Sequence, residues 1–267
     1  GIFEGRVAAD RFGEGTVYKY KLYTPNGERD GIWGDIWAPE MHRAPNGKWY
    51  VYTSGRIKPE PSQKRLFIME GPADDPFEGE WIFRGKPSPD IFSIDPTVYT
   101  APDGVQYLCS SRVDPQYGQV LDICDLVNPY TYGNNWATIA KAELDWELVP
   151  PYVGRSAIVE GAFFLEREGR LFIIYSANGC WSDDYCLGVL EHTGGSLTDA
   201  ANWKKHPEPL LTYGNDVYGP GHASFFRSPD GSEVLAGKIL IRYNYSGQMN
   251  DQEGFEQVIA AISGSVA

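Results

Sequence analysis

The sequence predicts an all-β protein assembled from repeated four-stranded units, and three observations carry that expectation. Long amphipathic helical periodicity is nearly absent from the 267 residues. In its place a short strand, a tight glycine-containing turn and a second aromatic or β-branched strand recur, as in MHRAPNGKWYVYTS, VYTAPDGVQYLCSS, FFLEREGRLFIIYSA and SFFRSPDGSEVLAGKIL. The turn glycines Gly47, Gly104, Gly169 and Gly231 stand 57, 65 and 62 residues apart, a period too regular for unrelated hairpins.

Taken in order, the first 30 residues offer the strand-like TVYKYKLYT but no complete unit. Four units then start near Ile36, Ile94, Ile158 and His222. Behind each inner hairpin comes a third strand, KRLFIMEG, QVLDICDL or YCLGVLEH. An outer strand follows, marked by Trp81, Trp146 and Trp203 at 34, 42 and 34 residues after the turn glycines. Four antiparallel strands in about 60 residues make a propeller blade. The expectation is therefore a single β-propeller domain over residues 1–267 with five blades, the first apparently incomplete. A four-bladed ring is the alternative. Ring closure matters because an open ring leaves unpaired sheet edges that invite association, so a monomer or a weak homo-oligomer is expected.

Composition narrows the partners. A net charge of −13 opposes binding to the polyanions DNA and RNA. No apolar stretch approaches the ~20 residues that span a bilayer. Aromatic residues reach 14%, with Trp 8 and Tyr 17; most pack between sheets, and flat rings also suit the apolar faces of sugars. Gly1 opens directly into mixed sequence, which fits a mature secreted form, a cytosolic protein and a shortened chain alike. The acidic, aromatic-rich composition favours secretion. Of the four cysteines, Cys109 with Cys124 and Cys180 with Cys186 are spaced so that either pair can bridge, although buried free thiols are the better reading for at least one pair. Neither pair has zinc-site spacing. Phosphate-loop, dinucleotide, nucleophile-elbow and zinc-protease motifs are absent.

In a propeller the innermost strand of every blade points its start at the central channel. Those starts read DIWAPE, SIDPTV, IVEGAF and YGPGHASF, and contribute Glu40 (or Asp35), Asp95, Glu160 and His222. An Asp before Pro often only begins a turn, and any one of these residues alone would be unremarked. At matching points of successive repeats they point to chemistry, because grouping carboxylates away from water is costly. A glycosidase accepts that cost to set a proton donor opposite a base.

The segments GDIWAPEMHRAPNGKWYVYTS, SIDPTVY, VEGAFFLEREGRLFIIYSANGCWSDDYCLG, NWKKHPEPLL and YGPGHASFFRSPDGSE together resemble glycoside hydrolase family 43, above all its arabinofuranosidase-like members. The resemblance runs from about Asp35 to Glu233. It implies a five-bladed propeller that cleaves α-L-arabinofuranosides or β-xylosides of plant polysaccharides with inversion. Inversion needs an acid for the leaving oxygen and a base for water, set roughly 6.5–9.5 Å apart. By this similarity Glu160 is the general acid and Asp95 the third carboxylate, which orients the acid and keeps it protonated. His222 is a channel residue bordering the sugar, Glu40 a further substrate contact, and Trp37 and Trp181 are sugar platforms. The resemblance requires no cofactor and allows a calcium or sodium ion near His222.

Two departures stand beside it. The family's base is an Asp in an Ala-Asp-Pro-type motif on the first inner strand, which is not found here; Asp10, Asp30 and Asp35 are the nearby carboxylates. The residues after Glu233 lack the usual closing motifs. A missing N-terminal segment, a sugar-binding propeller without catalysis and a substituted base each explain the first departure. Without a base, water attack slows by about 10²–10⁴-fold while sugar can still bind. A propeller serving only as a protein-interaction platform is a third class, and it has no need of the aligned acids.

Overall fold

The computed structural model describes residues 4–8, 17–21, 31–57, 64–85, 87, 92–214, 218–227, 233–240 and 255–261, which form five sheets. In the first, β1 (Glu4–Ala8) pairs antiparallel with β2 (Val17–Lys21). The second runs in sequence order through β3 (Ile32–Arg43), β4 (Trp49–Ile57), β5 (Lys64–Glu70) and β6 (Ile82–Gly85). The third contains β7 (Ile94–Thr100), β8 (Gln106–Asp114), β9 (Gly118–Asn128) and β10 (Thr131–Lys141). The fourth contains β11 (Val159–Arg167), β12 (Arg170–Ala177), β13 (Cys186–His192) and β14 (Trp203–Lys205). The fifth contains β15 (Tyr218–Arg227), β16 (Glu233–Leu240) and β17 (Phe255–Ala261). Each sheet is a meander of sequence neighbours, as the hairpin repeat predicts. The helices among the described residues are three single 3₁₀ turns.

The chain divides into two compact units, Gly1–Leu108 with Asp125–Asn134, and Cys109–Cys124 with Asn135–Ala267. In the first unit β4 and β5 are buried along almost their whole length, their polar residues Thr53, Ser54, Lys64, Arg65 and Glu70 included. Val51, Phe67, Met69, Ile32, Ile57 and Trp81 form one cluster, each large side chain contributing about 1.5–3 kcal/mol. Tyr50 and Tyr52 project from the opposite face of β4, as the period of two requires. The Tyr52 hydroxyl donates to the Pro129 carbonyl at 2.7 Å.

The last residue of β5 closes this sheet electrostatically. Glu70 is buried and takes Arg84 through both oxygens at 2.8 and 2.9 Å, with Lys48 at 2.5 Å. The hydrogen-bonded Arg84 guanidinium, more than Lys48, pulls its carboxyl down from 4.5 to about 2. A depressed carboxyl stabilises the fold fully above its unfolded value and loses that contribution as pH falls toward the folded one. Urea unfolding of wild type should therefore lose on the order of 2 kcal/mol more than Glu70→Gln between pH 6 and 2.5. Parallel pH slopes for the two proteins would contradict this.

In the second unit Phe172 and Ile174 of β12, Leu187 and Val189 of β13 and Ala223 of β15 form a cluster. Ile173 and Tyr175 occupy the other face of β12 and are also fully buried.

One sequence expectation is corrected. Trp146 does not mark the outer strand of the third sheet; it lies in the 3₁₀ turn Asp145–Glu147, stacks on Tyr175 at 6.3 Å and donates its indole N–H to the Pro207 carbonyl. The outer strand is β10, which carries Trp136. The cysteines are all free, with Cys109 and Cys124 both buried, in line with the free thiols favoured for at least one pair, and burial pushes the Cys186 thiol up to about 12. The turn glycine Gly231 lies outside the described residues.

Candidate functional site

The inner strands β3, β11 and β15 share a bulge, and candidate residues lie at or beside it. On β3, Trp37 faces Ser54 and Glu40 faces Tyr52. On β11, Glu160 faces Ser176 and Phe163 faces Ile174. On β15, Gly221 faces Lys238 and Ser224 faces Ala236. Each inner strand thus carries one residue more than its partner over the same stretch. The residue following the first pair has a left-handed backbone each time: Ala38 at φ 44°, Gly161 at φ 58° and His222 at φ 48°. Asp95 on β7 has the same conformation, at φ 54°. Non-glycine residues held there cost about 1–3 kcal/mol each and cluster at functional sites.

This bulge revises the equivalence read from sequence. Asp95 and His222 share the left-handed position with Ala38 and Gly161, whereas Glu160 precedes that position by one residue and Glu40 follows it by two. The alternation of two that relates strands in sequence cannot see an inserted residue.

In the second unit the structure brings Glu160 and His222 together around Ser176. Glu160 pairs with Ser176 across the ladder, and the His222 backbone N–H donates to the Ser176 hydroxyl oxygen at 2.7 Å. Gly161 sits between them. A Cβ there would lie 3.2 Å from the His222 ring and from Ser176 Oγ, in a left-handed backbone that glycine adopts freely. Glu160 is buried at 9% exposure. Its Oε2 accepts from Gln119 Nε2 at 3.1 Å and its Oε1 accepts from the Tyr185 hydroxyl at 3.1 Å. Gln119 also donates to Ser111 Oγ at 3.2 Å, and Ser111 donates to the Val159 carbonyl at 2.9 Å. Trp181 is 61% exposed on the loop that leads into Tyr185, with its ring edge-on to Tyr152 at 6.0 Å.

In the first unit Trp37 and Glu40 flank the β3 bulge, and β7, which carries Asp95, packs beside β3 and β4. Asp95 is buried at 6% exposure. Trp37 is 49% exposed, but the Lys64 ammonium lies 3.3 Å from its ring centroid. One face of the indole is therefore covered by Lys64. Glu40 contacts His42 Nε2 at 2.8 Å. Asp35 receives Arg56 at 2.7 Å and Lys64 at 3.3 Å on the same oxygen, so two cations already engage this candidate base. Asp10 and Asp30 lie outside the described residues.

Gln119, Tyr185, Ser111 and Ser176 were not singled out from sequence. Ser176 meets Glu160 by strand pairing and the others by side-chain hydrogen bonds between segments distant in sequence, so no local motif marks them. Among the described residues, no group of three or more His, Cys, Asp or Glu side chains is placed to hold a metal ion. The ion that the resemblance allows near His222 therefore rests on the resemblance alone. No helix of the described residues is long and apolar enough to cross a membrane.

Three comparisons bear on what this arrangement does. The family model described as glycosyl hydrolases family 43 matches residues 20–254. The extracellular exo-α-(1→5)-L-arabinofuranosidase of Streptomyces chartreusis is 37% identical over 75% of this chain and 61% of its own length. The α-L-arabinofuranosidase 43 of Humicola insolens is 32% identical over 76% of this chain and 42% of its own. This chain thus spans less than two thirds of the curated relatives it matches. Among solved structures, the α-L-arabinofuranosidase of Lactobacillus brevis superposes with a TM-score of 0.76 at 25% identity, covering 92% of this chain and 78% of the other. With the four-stranded sheets, that likeness shows the all-β propeller class expected from the sequence.

Proposed function

This chain belongs to glycosyl hydrolase family 43, and from that membership we propose that it hydrolyses α-L-arabinofuranosides of plant polysaccharides with inversion. The observation that carries the reading is the 37% identity to an exo-α-(1→5)-L-arabinofuranosidase across three quarters of the chain. The curated relatives bear arabinofuranosidase names, which favours arabinofuranosides over β-xylosides. Extracellular relatives and the composition favour secretion. Five blades belong to the same proposal.

In this reading Glu160 is the general acid. It gives its proton to the glycosidic oxygen as the bond from that oxygen to the anomeric carbon breaks. Water attacks the opposite face of that carbon, a carboxylate base takes the water's proton, and the released sugar has inverted configuration. Burial of Glu160 behind Gln119 and Tyr185 supports the role, because a fixed acid delivers its proton along one line. Asp95 is assigned as the third carboxylate, Trp37 and Trp181 as sugar platforms, and Glu40 and His222 as substrate contacts. The base is sought among Asp10, Asp30 and Asp35.

The test follows 4-nitrophenyl α-L-arabinofuranoside and linear arabinan by proton NMR. Release of arabinose whose first-formed anomer is β is expected. An α anomer formed first would remove the inverting mechanism. Arabinan bound without any release would favour the sugar-binding propeller that the unmatched base motif suggests.

A further inference from the structure

Each carboxyl oxygen of Glu160 is met by a different neutral donor, and each donor is itself fixed from behind. The Val159 carbonyl can only accept, which makes the Ser111 hydroxyl the donor in that bond. The Ser111 oxygen then accepts from the Gln119 amide, whose nitrogen carries two hydrogens. The second hydrogen goes to Glu160 Oε2. The backbone N–H of Gln119 donates to the Ala157 carbonyl at 2.8 Å, so both ends of the residue are anchored to the segment that leads into Glu160. On the other oxygen, Tyr185 is fully buried and its backbone N–H donates to the Ser182 carbonyl at 3.2 Å. Its ring lies against Gly221, where an added Cβ would fall 2.1 Å from ring Cε1. The ring can occupy that place only because residue 221 has no side chain.

We propose that Tyr185 and Gln119 are positioning residues that hold the two carboxyl oxygens of Glu160 in the direction from which it protonates the leaving group. The proposal rests on the assignment of Glu160 as the acid. Neither residue has to touch sugar. They act by removing the rotation about the last carbon–carbon bond of Glu160, so that a terminal torsion that is otherwise broad is confined to one setting. The loss of either should be felt in proportion to how much the substrate needs the acid. A glycoside of 2,4-dinitrophenol departs as a stable anion and needs little protonation, whereas an arabino-oligosaccharide leaves as an alkoxide and needs it fully.

The experiment compares kcat on those two substrates for wild type, Tyr185→Phe, Gln119→Leu and Glu160→Gln, with melting temperatures measured alongside. Tyr185→Phe and Gln119→Leu should each lower kcat on arabinotriose by about 5–20-fold, the worth of one lost hydrogen bond. On the dinitrophenyl glycoside the loss should stay within about 2-fold. Equal losses on both substrates would mean a general structural defect and overturn the proposal, as would no loss on either. Glu160→Gln separates the two layers. If it discriminates between the substrates and the two variants do not, the positioning role falls and the acid stands. If it does not discriminate, the acid assignment falls and the positioning role with it. Wild type inactive on both substrates overturns both.

Discussion

With Glu160 as the proposed acid, Glu160→Gln should lower the turnover of arabinan and arabino-oligosaccharides by about 10²–10⁴-fold, the usual worth of a positioned general acid. The amide keeps the volume of the carboxyl and an oxygen for the Gln119 donor, and the Tyr185 hydroxyl can rotate to accept from its new N–H. What it lacks is a proton acidic enough to transfer. Binding should survive, so titration of the variant with arabinan should give a Kd within a few-fold of the wild-type value. The loss then lies in kcat, the signature of an interaction made only in the transition state. An unchanged kcat with a raised KM would make Glu160 a binding residue and return the acid to be found elsewhere. The melting temperature should stay close to wild type, because the hydrogen bonds at 3.1 Å have replacements in the amide.

Much of the fold was legible because hairpins announce themselves locally. The turn around Gly47 closes by Ala44 N–H to the Lys48 carbonyl and Gly47 N–H to the Ala44 carbonyl, and the turn around Gly104 closes in the same way between Ala101 and Val105. The third strands β5, β9 and β13 were legible too, being apolar runs of strand length. The outer strand β10 was not. Its Gly133, Asn134 and Asn135 read as turn punctuation, yet Gly133 lies inside the strand, near its start, where a Cβ would fall 2.3 Å from the Asp125 carboxyl. That glycine marks a close approach, and sequence cannot distinguish it from a turn. The site divides along the same line. Glu160 and His222 were singled out because the repeat places them at inner-strand starts. Their offset by the bulge was hidden, and so were Gln119 and Tyr185, which reach Glu160 from the start of β9 and the loop before β13.

Lys205→Met should destabilise the protein by about 3–5 kcal/mol, the usual cost of leaving a buried charge without its partner. Glu147 has no solvent exposure. Its carboxylate takes the Lys205 ammonium at 2.9 Å on both oxygens, the Tyr175 hydroxyl at 2.7 Å and the backbone N–H groups of Glu143 and Leu144 at 2.9 Å. Burial first, and then the adjacent Glu147 carboxylate, push the Tyr175 hydroxyl well above its ordinary value, so it stays a donor at every working pH. Methionine keeps nearly the length and the apolar stem of Lys205 and removes the charge together with its N–H donors. At roughly 2–4 °C per kcal/mol for a chain near this size, the melting temperature should fall by roughly 6–20 °C. Adding Glu147→Gln to Lys205→Met should recover most of that loss. The amide oxygen can keep the two backbone donors and its nitrogen can donate to Tyr175, leaving no buried charge to compensate. A fall under about 2 °C in the single variant would show that water reaches the carboxylate. A double variant as unstable as the single one would show that Lys205 acts through packing and through its 2.6 Å bond to the Lys141 carbonyl. The network also bears on the site, because Tyr175 precedes Ser176 on β12 and Asn178, two residues further, donates to the carbonyls of Trp146 and Asp184. Losing the Glu147 anchor should therefore loosen both the strand that faces Glu160 and the foot of the loop that ends in Tyr185. Near the melting point, the Lys205→Met variant should lose arabinan turnover before it loses its far-ultraviolet β signal.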